Sequence, residues 1–156
     1  MIMNTEIERK FLVADGYKAD IQASFEIKQG YLNSNPERTV RIRTKGEKAF
    51  LTIKGLSEMG GLKRFEWEKE LTLDEIQPLF DLCEDFIIHK TRHIVVYQGH
   101  TWEIDEFWGK HKGLVLAEVE MKSVDEDVAL PDWIIKEVTG DRKYYNSSLC
   151  KNDWIG

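Results

Sequence analysis

The stretch Thr5-Glu6-Ile7-Glu8-Arg9-Lys10-Phe11-Leu12-Val13 alternates charge with bulk. Glu6, Glu8 and Lys10 share one parity, and Ile7, Phe11 and Val13 share the other. In an extended strand, residues i and i+2 point to the same face, about 6.5–7 Å apart. One face of this segment is therefore ionic and the other apolar. The spacing recurs in Arg41-Ile42-Arg43, Glu66-Trp67-Glu68, Lys90-Thr91-Arg92, Glu103-Ile104-Asp105 and Glu118-Val119-Glu120, each with two like charges around an opposed residue. Lys54 shares a face with Thr52 while Leu51 and Ile53 turn away, and Arg64 and Glu70 extend the face of Glu66 and Glu68.

Turn signals cut the chain into short runs: Asp15-Gly16, Asn33-Ser34-Asn35-Pro36, Lys45-Gly46-Glu47, Met59-Gly60-Gly61, Gly99-His100 and Gly109 to Gly113. Alternating runs between such turns predict an antiparallel meander. Eight strands are expected, near 5–13, 25–32, 38–44, 48–54, 63–72, 87–97, 101–107 and 114–121. Helix is expected from Asp74 to Cys83, over 131–139 behind Pro131, and as a turn from Lys143 to Cys150. Residues 16–24 read as helix or loop. Gly60-Gly61 lacks the lysine of a phosphate loop and reads as a flexible hairpin tip.

The chain has 156 residues, about one domain, and residues 1–156 are read as a single domain. Twenty-eight acids against 22 bases give a net charge of −6, which argues against a nucleic-acid partner. Neither a signal peptide nor an apolar run of about 18 residues is visible, so no membrane partner and a cytoplasmic location are expected. A homodimer stays open. Cys83 and Cys150 lack framework or metal spacing and read as buried, reduced thiols. His89 and His93 would point away from Lys90 and Arg92, into surface or packing roles, and His100 and His111 read as solvated turn residues. Trp102, Trp108, Trp133 and Trp154 read as core and helix-docking residues.

A solvated sheet face laced with cross-strand ion pairs would also alternate in this way. Three details favour an interior instead. The charged positions are mostly Glu and Arg, like charges sit side by side within strands, and eight strands suffice to close a barrel around a small ligand. Carboxylate clusters suit a hard divalent cation, and Arg/Lys clusters suit phosphate oxygens. Together they point to a metal–polyphosphate complex.

The ExExK pattern of Glu6, Glu8 and Lys10 resembles that of the CYTH superfamily, the triphosphate tunnel metalloenzymes. Gln29-Gly30-Tyr31-Leu32, Arg41-Ile42-Arg43, Leu51-Thr52-Ile53-Lys54-Gly55, Glu66-Trp67-Glu68, Lys90-Thr91-Arg92, Trp102-Glu103-Ile104-Asp105, Ala117-Glu118-Val119-Glu120, Glu137-Val138-Thr139 and Lys143-Tyr144-Tyr145-Asn146 follow in the family's order. The chain looks most like the compact bacterial members, several of which are inorganic triphosphatases. The resemblance implies an eight-stranded antiparallel β-barrel or open cup with a charged lumen, an α+β fold with helices packed on the apolar outside. It would bury Ile7, Phe11, Ile42, Ile53, Trp67, Ile104 and Val119.

On this reading Lys10, Arg41, Arg43, Lys54, Lys90 and Arg92, with Arg64, hold the phosphates. Glu6, Glu8, Glu118 and Glu120 bind Mg²⁺ or Mn²⁺, with Glu103 and Asp105, and also Glu66 and Glu68, completing or hydrogen-bonding a second site. Water attacks a terminal phosphorus. Its base is Glu66 or Glu68, or alternatively Lys90, and Tyr31 hydrogen-bonds Lys10 or the substrate or simply packs. The expected substrate is inorganic triphosphate. The alternatives are a class IV type adenylate cyclase, a nucleoside or thiamine triphosphatase acting on an organic triphosphate, or a non-catalytic triphosphate or polyphosphate binder.

Overall fold

Residues 5–151 are described by a computed structural model. Its strands are β1 (Thr5–Val13), β2 (Ala23–Asn33), β3 (Arg38–Lys45), β4 (Lys48–Gly55), β5 (Lys63–Leu71), β6 (Ile88–Tyr97), β7 (His100–Phe107), β8 (Val115–Glu120) and β9 (Ile134–Glu137). They lie in the order β5-β4-β3-β2-β6-β7-β8-β1, each antiparallel to its neighbour. β1 then pairs with β5 through Thr5 with Phe65 and Ile7 with Lys63. The sheet is a closed eight-stranded barrel rather than an open cup.

β1 is the seam and serves three partners. One edge pairs with β8 from Glu8 to Leu12. The opposite edge pairs with β5 only as far as Ile7, which leaves the remaining N–H and C=O groups needing partners. Residues 134–139 supply them. Ile134–Glu137 form β9 against Phe11 to Val13, and Val138 N donates to Lys10 O at 2.8 Å. This corrects the helix expected over 131–139: Pro131 opens a turn, and β-branched Ile134 and Ile135 then extend along an edge that would otherwise be bare.

The other helical expectations hold in shortened form. Thr72 caps helix α1 (Leu73–Ile76), in a reciprocal box with Glu75. The following turns, Gln77–Leu82, are 3₁₀ because Pro78 has no N–H for an i→i−4 bond. Asp15–Asp20 and Arg142–Tyr144 are also 3₁₀, and Asn146–Leu149 form helix α2. No helix among the described residues is long and apolar enough to cross a membrane.

Apolar side chains gather in three places. Outside, Phe11, Trp102, Val119, Tyr17 and Trp133 pack together, with Phe11 and Trp102 ring centroids 5.4 Å apart. Ile42, Ala49, Ile76 and Phe80 form a second outer cluster under α1. The third lies within one end of the barrel, where Tyr31, Ile88, Phe107 and Leu116 meet Leu149 and Cys150. The lumenal parity is thus apolar at this end and charged beyond it.

Several expectations change. Among the described residues no helix covers β5's outer face, so Phe65 (51% exposed) and Trp67 (38%) face outward, and Ile7 and Ile53 are half-buried. Trp108 is not core; it is 39% exposed, with Nε1 donating to Thr91 Oγ1. Trp154 lies outside the described residues. His111 is buried against Phe86 rather than solvated, and His100 is half-buried in a hydrogen bond to Glu126. His89 is exposed, while His93 bridges Ser24 and Glu106. Both cysteines are free thiols. Cys150 is fully buried and Cys83 half-buried, and burial pushes the Cys150 thiol up to about 11.

Candidate active site

Closing the barrel turns the alternating parity of its strands inward around a cavity of about 240 Å³. Antiparallel register sets opposite charges beside each other. Lys10 faces Glu118, Lys54 faces Glu66, Arg92 faces Asp105, and Arg64 faces Glu6. All the expected phosphate-binding side chains line this cavity: Lys10, Arg41, Arg43, Lys54, Arg64, Lys90 and Arg92. So do Tyr31, Glu6, Glu8, Glu66, Glu68, Glu103, Glu118 and Glu120. Glu70, at the far end of the same face, is exposed and does not line it.

Asp105 is different. Arg92 grips it with Nε to Oδ1 at 2.7 Å and Nη2 to Oδ2 at 2.9 Å, and Lys90 Nζ lies 2.7 Å from Oδ2. It is 2% exposed and stands behind the two cations, not on the cavity wall. Burial opposes its charge, but Arg92 and Lys90 hold its carboxyl well below the usual range. Its oxygens are engaged by cations, so the expected metal-ligand role gives way to that of a fixed counter-charge.

The other cations are held less completely. Lys54 Nζ reaches both Glu6 oxygens, at 2.9 and 3.0 Å. Burial alone would lower its pKa; Glu6 and Glu8 hold it above its ordinary value. Thr52 Oγ1 accepts from Arg41 at 3.1 Å and donates to Glu68 at 2.8 Å, and Arg43 lies 3.6 Å from Glu68. The Nε atoms of Arg41 and Arg43 are buried with no acceptor. Burial and the neighbouring Arg41 and Arg92 push Arg43 down to about 10. Burial lowers Lys90 to about 8, outweighing Asp105, with Arg92 adding to the effect.

The carboxylates of β1 and β8 are crowded. Glu8 and Glu120 are register partners, and Glu8 and Glu118 come within hydrogen-bonding reach of each other. Burial, then Glu118 and Glu6, push Glu8 well above the usual carboxyl range. Burial also raises Glu6 despite Lys54, and raises Glu120, which feels Glu6 and Glu103. Burial opposes the charge on Glu118, but Lys10 and Arg92 outweigh it and hold that carboxyl at about 2. Like charges packed in this way call for a cation. Among the described residues no three metal-ligating side chains already converge as an ion would need.

The sequence reading missed the segment that closes the apolar end. Thr139, Gly140, Tyr145, Asn146 and Ser147 all line the cavity. Tyr144 O accepts from Lys10 Nζ at 3.2 Å, and Asn146 Oδ1 accepts from both Lys90 Nζ (2.9 Å) and Gln29 Nε2 (2.7 Å). The motif Lys143-Tyr144-Tyr145-Asn146 was visible; its placement over the lumen needs the tertiary fold. Gly60-Gly61, expected as a free hairpin tip, is instead clasped to this segment. A Cβ on Gly140 would stand 2.0 Å from Gly60 O, and one on Gly61 would stand 2.3 Å from Gly140 Cα.

The family model described as "CYTH domain" matches residues 4–149. An inorganic triphosphatase of Acetivibrio thermocellus is 41% identical over 154 residues, covering 97% of each chain. One from Nitrosomonas europaea is 38% identical over 149 residues, covering 93% of this chain and 96% of that one. A solved structure described as an inorganic triphosphatase superposes with a TM-score of 0.68 at 32% identity, covering 96% of this chain and 95% of that one. A structure from Pyrococcus horikoshii, 19% identical with a TM-score of 0.61, covers 77% of this chain and 80% of its own and shares the fold.

Proposed function

The chain belongs to the CYTH domain family, and we propose that it hydrolyses inorganic triphosphate to diphosphate and phosphate within its barrel. The observation that carries this reading is one cavity lined by seven Lys and Arg side chains, Arg41 and Arg43 among them, together with the crowded Glu8 and Glu118. Convergent cations suit anionic oxygens, and guanidinium forks match phosphate geometry. The named triphosphatases at 41% and 38% identity support it.

The donor set also fits a hard divalent cation. Carboxyl oxygens are the ligands Mg²⁺ or Mn²⁺ takes, and Mg²⁺ uses one or two carboxylates together with substrate phosphates, so a ready-made cage is not required. Glu6, Glu8, Glu118 and Glu120 would hold it, with Glu103 at the edge of the set. When bound, such an ion neutralises developing charge on the phosphoryl oxygens.

The chain's own residues do the rest. Arg41, Arg43, Lys54, Arg92, Lys10 and Arg64 hold the phosphate chain in line, and positioning with electrostatic stabilisation carries most phosphoryl transfer. Lys90 takes the proton of the attacking water. Burial brings its pKa to about 8, and a neutral amine that donates to Asp105 and Asn146 keeps its lone pair for the water. The alternative bases, Glu66 and Glu68, are paired with Lys54 and with Thr52 and Arg43. Tyr31 lines the same cavity beside them. The activity is assigned to the cytoplasm.

The site is tested by Glu8→Gln and Lys90→Ala, with phosphate release from inorganic triphosphate measured in Mg²⁺ or Mn²⁺. Each substitution is expected to lower turnover by at least ~10²-fold, the scale of losing a preorganised electrostatic group. Near-normal rates would reject the lumenal assignment.

A further inference from the structure

Lys90 is the most enclosed cation of the lumen, 1% exposed. Its Nζ has a tetrahedral set of positions, and the structure fixes two of them. One points to Asp105 Oδ2 at 2.7 Å and one to Asn146 Oδ1 at 2.9 Å. One position is left over, and Lys90 lines the cavity. Two acceptors therefore aim the nitrogen, whether it presents a hydrogen or a lone pair. Asp105 is itself locked by the Arg92 fork. Asn146 is the adjustable member, because it rides on the segment closing the end of the barrel.

The orientation of the Asn146 amide follows from its neighbours. An ammonium only donates, so the atom facing Lys90 must be oxygen. The same oxygen accepts from Gln29 Nε2 at 2.7 Å, and Gln29 is wholly buried. Turning Gln29 over would set two carbonyl oxygens against each other. Both flips are thus determined, and Nδ2 takes the remaining side of Asn146, a residue that lines the cavity.

We propose that Asn146 is a positioning residue for the hydrolysis, holding Lys90 Nζ so that its free tetrahedral position faces the triphosphate. The proposal rests on the reading given under Proposed function. It acts through Lys90, and that sets its signature. Removing the Asn146 carbonyl lets the lysine swing, which lowers kcat while leaving ground-state binding to the arginines. Once Lys90 is gone, removing Asn146 has nothing further to disturb.

The test is a double-mutant cycle on triphosphate hydrolysis, with Asn146→Ala, Lys90→Ala and the pair, alongside Asn146→Asp. Thermal melts establish that each variant is folded. Asn146→Ala is expected to lower kcat on the order of 10-fold, the scale of a misplaced catalytic group, with KM changed less than about 2-fold. In the Lys90→Ala background the same substitution is expected to cost less than about 2-fold, since residues acting as a unit are non-additive. Asn146→Asp keeps the acceptor and presents an oxygen in place of Nδ2. A second carboxylate beside Asp105 also favours the Lys90 ammonium, so the variant is expected to recover kcat only at higher pH than the wild type while raising KM for the polyanion. An equal loss in both backgrounds, or a loss confined to KM in Asn146→Ala, overturns the inference alone. A wild-type protein without turnover overturns it together with the proposed function.

Discussion

Asp105 shows how one carboxylate can shape a site without entering it. It neutralises Lys90 and Arg92 from behind, while Lys90 also reaches Asn146 and Arg92 also reaches Glu103. Removing one partner of a buried ion cluster leaves uncompensated charge, which costs more than the cluster contributes as a whole. Asp105→Ala is therefore expected to destabilise the fold by about 3–5 kcal/mol, read as a lower urea midpoint with an unchanged slope. A midpoint within experimental scatter of wild type would mean that Lys90 and Arg92 find other partners. At this scale the sequence was informative about identity and silent about depth. Arg92 and Asp105 were both visible as alternating charges, but only the register of β6 with β7 sets them directly opposite and takes Asp105 off the cavity wall.

Among the elements, the strands were legible because a two-residue period survives any detail of packing. The parity of Glu6, Glu8 and Lys10 alone assigns them to one face. The closing segment was not legible. Ile134 and Ile135 become an edge strand because β1 has bare backbone there, a demand set by where β5 begins. Gly60-Gly61 looked like a free tip because nothing local reveals that Gly140 packs on it. That clasp makes a prediction. Gly140 has φ +80° as well as no room for a Cβ, so Gly140→Ala is expected to cost about 1–3 kcal/mol and to loosen residues 142–151. Cys150, buried and with its thiol raised to about 11, reports this directly. Its alkylation, followed by peptide mass, is expected to be slow in the wild type and clearly faster in Gly140→Ala. Equal rates would show that the clasp does not hold the segment.

At the scale of the whole molecule, closure of the barrel converts an unremarkable composition into a site. The 28 acids and 22 bases sum to a net charge of −6, yet the lumen holds seven cations and leaves two arginine Nε donors unsatisfied. Net charge sets solubility and long-range steering, whereas the local placement of cations decides what binds. The apolar outer face at Phe65 and Trp67 stands apart from this chemistry. The most direct test supplies inorganic triphosphate or ATP with Mg²⁺ or Mn²⁺ and quantifies phosphate, diphosphate and cyclic AMP. The expected result is one phosphate and one diphosphate per inorganic triphosphate, abolished by a chelator. Cyclic AMP with diphosphate from ATP, or saturable binding of triphosphate with no phosphate released, would contradict the account.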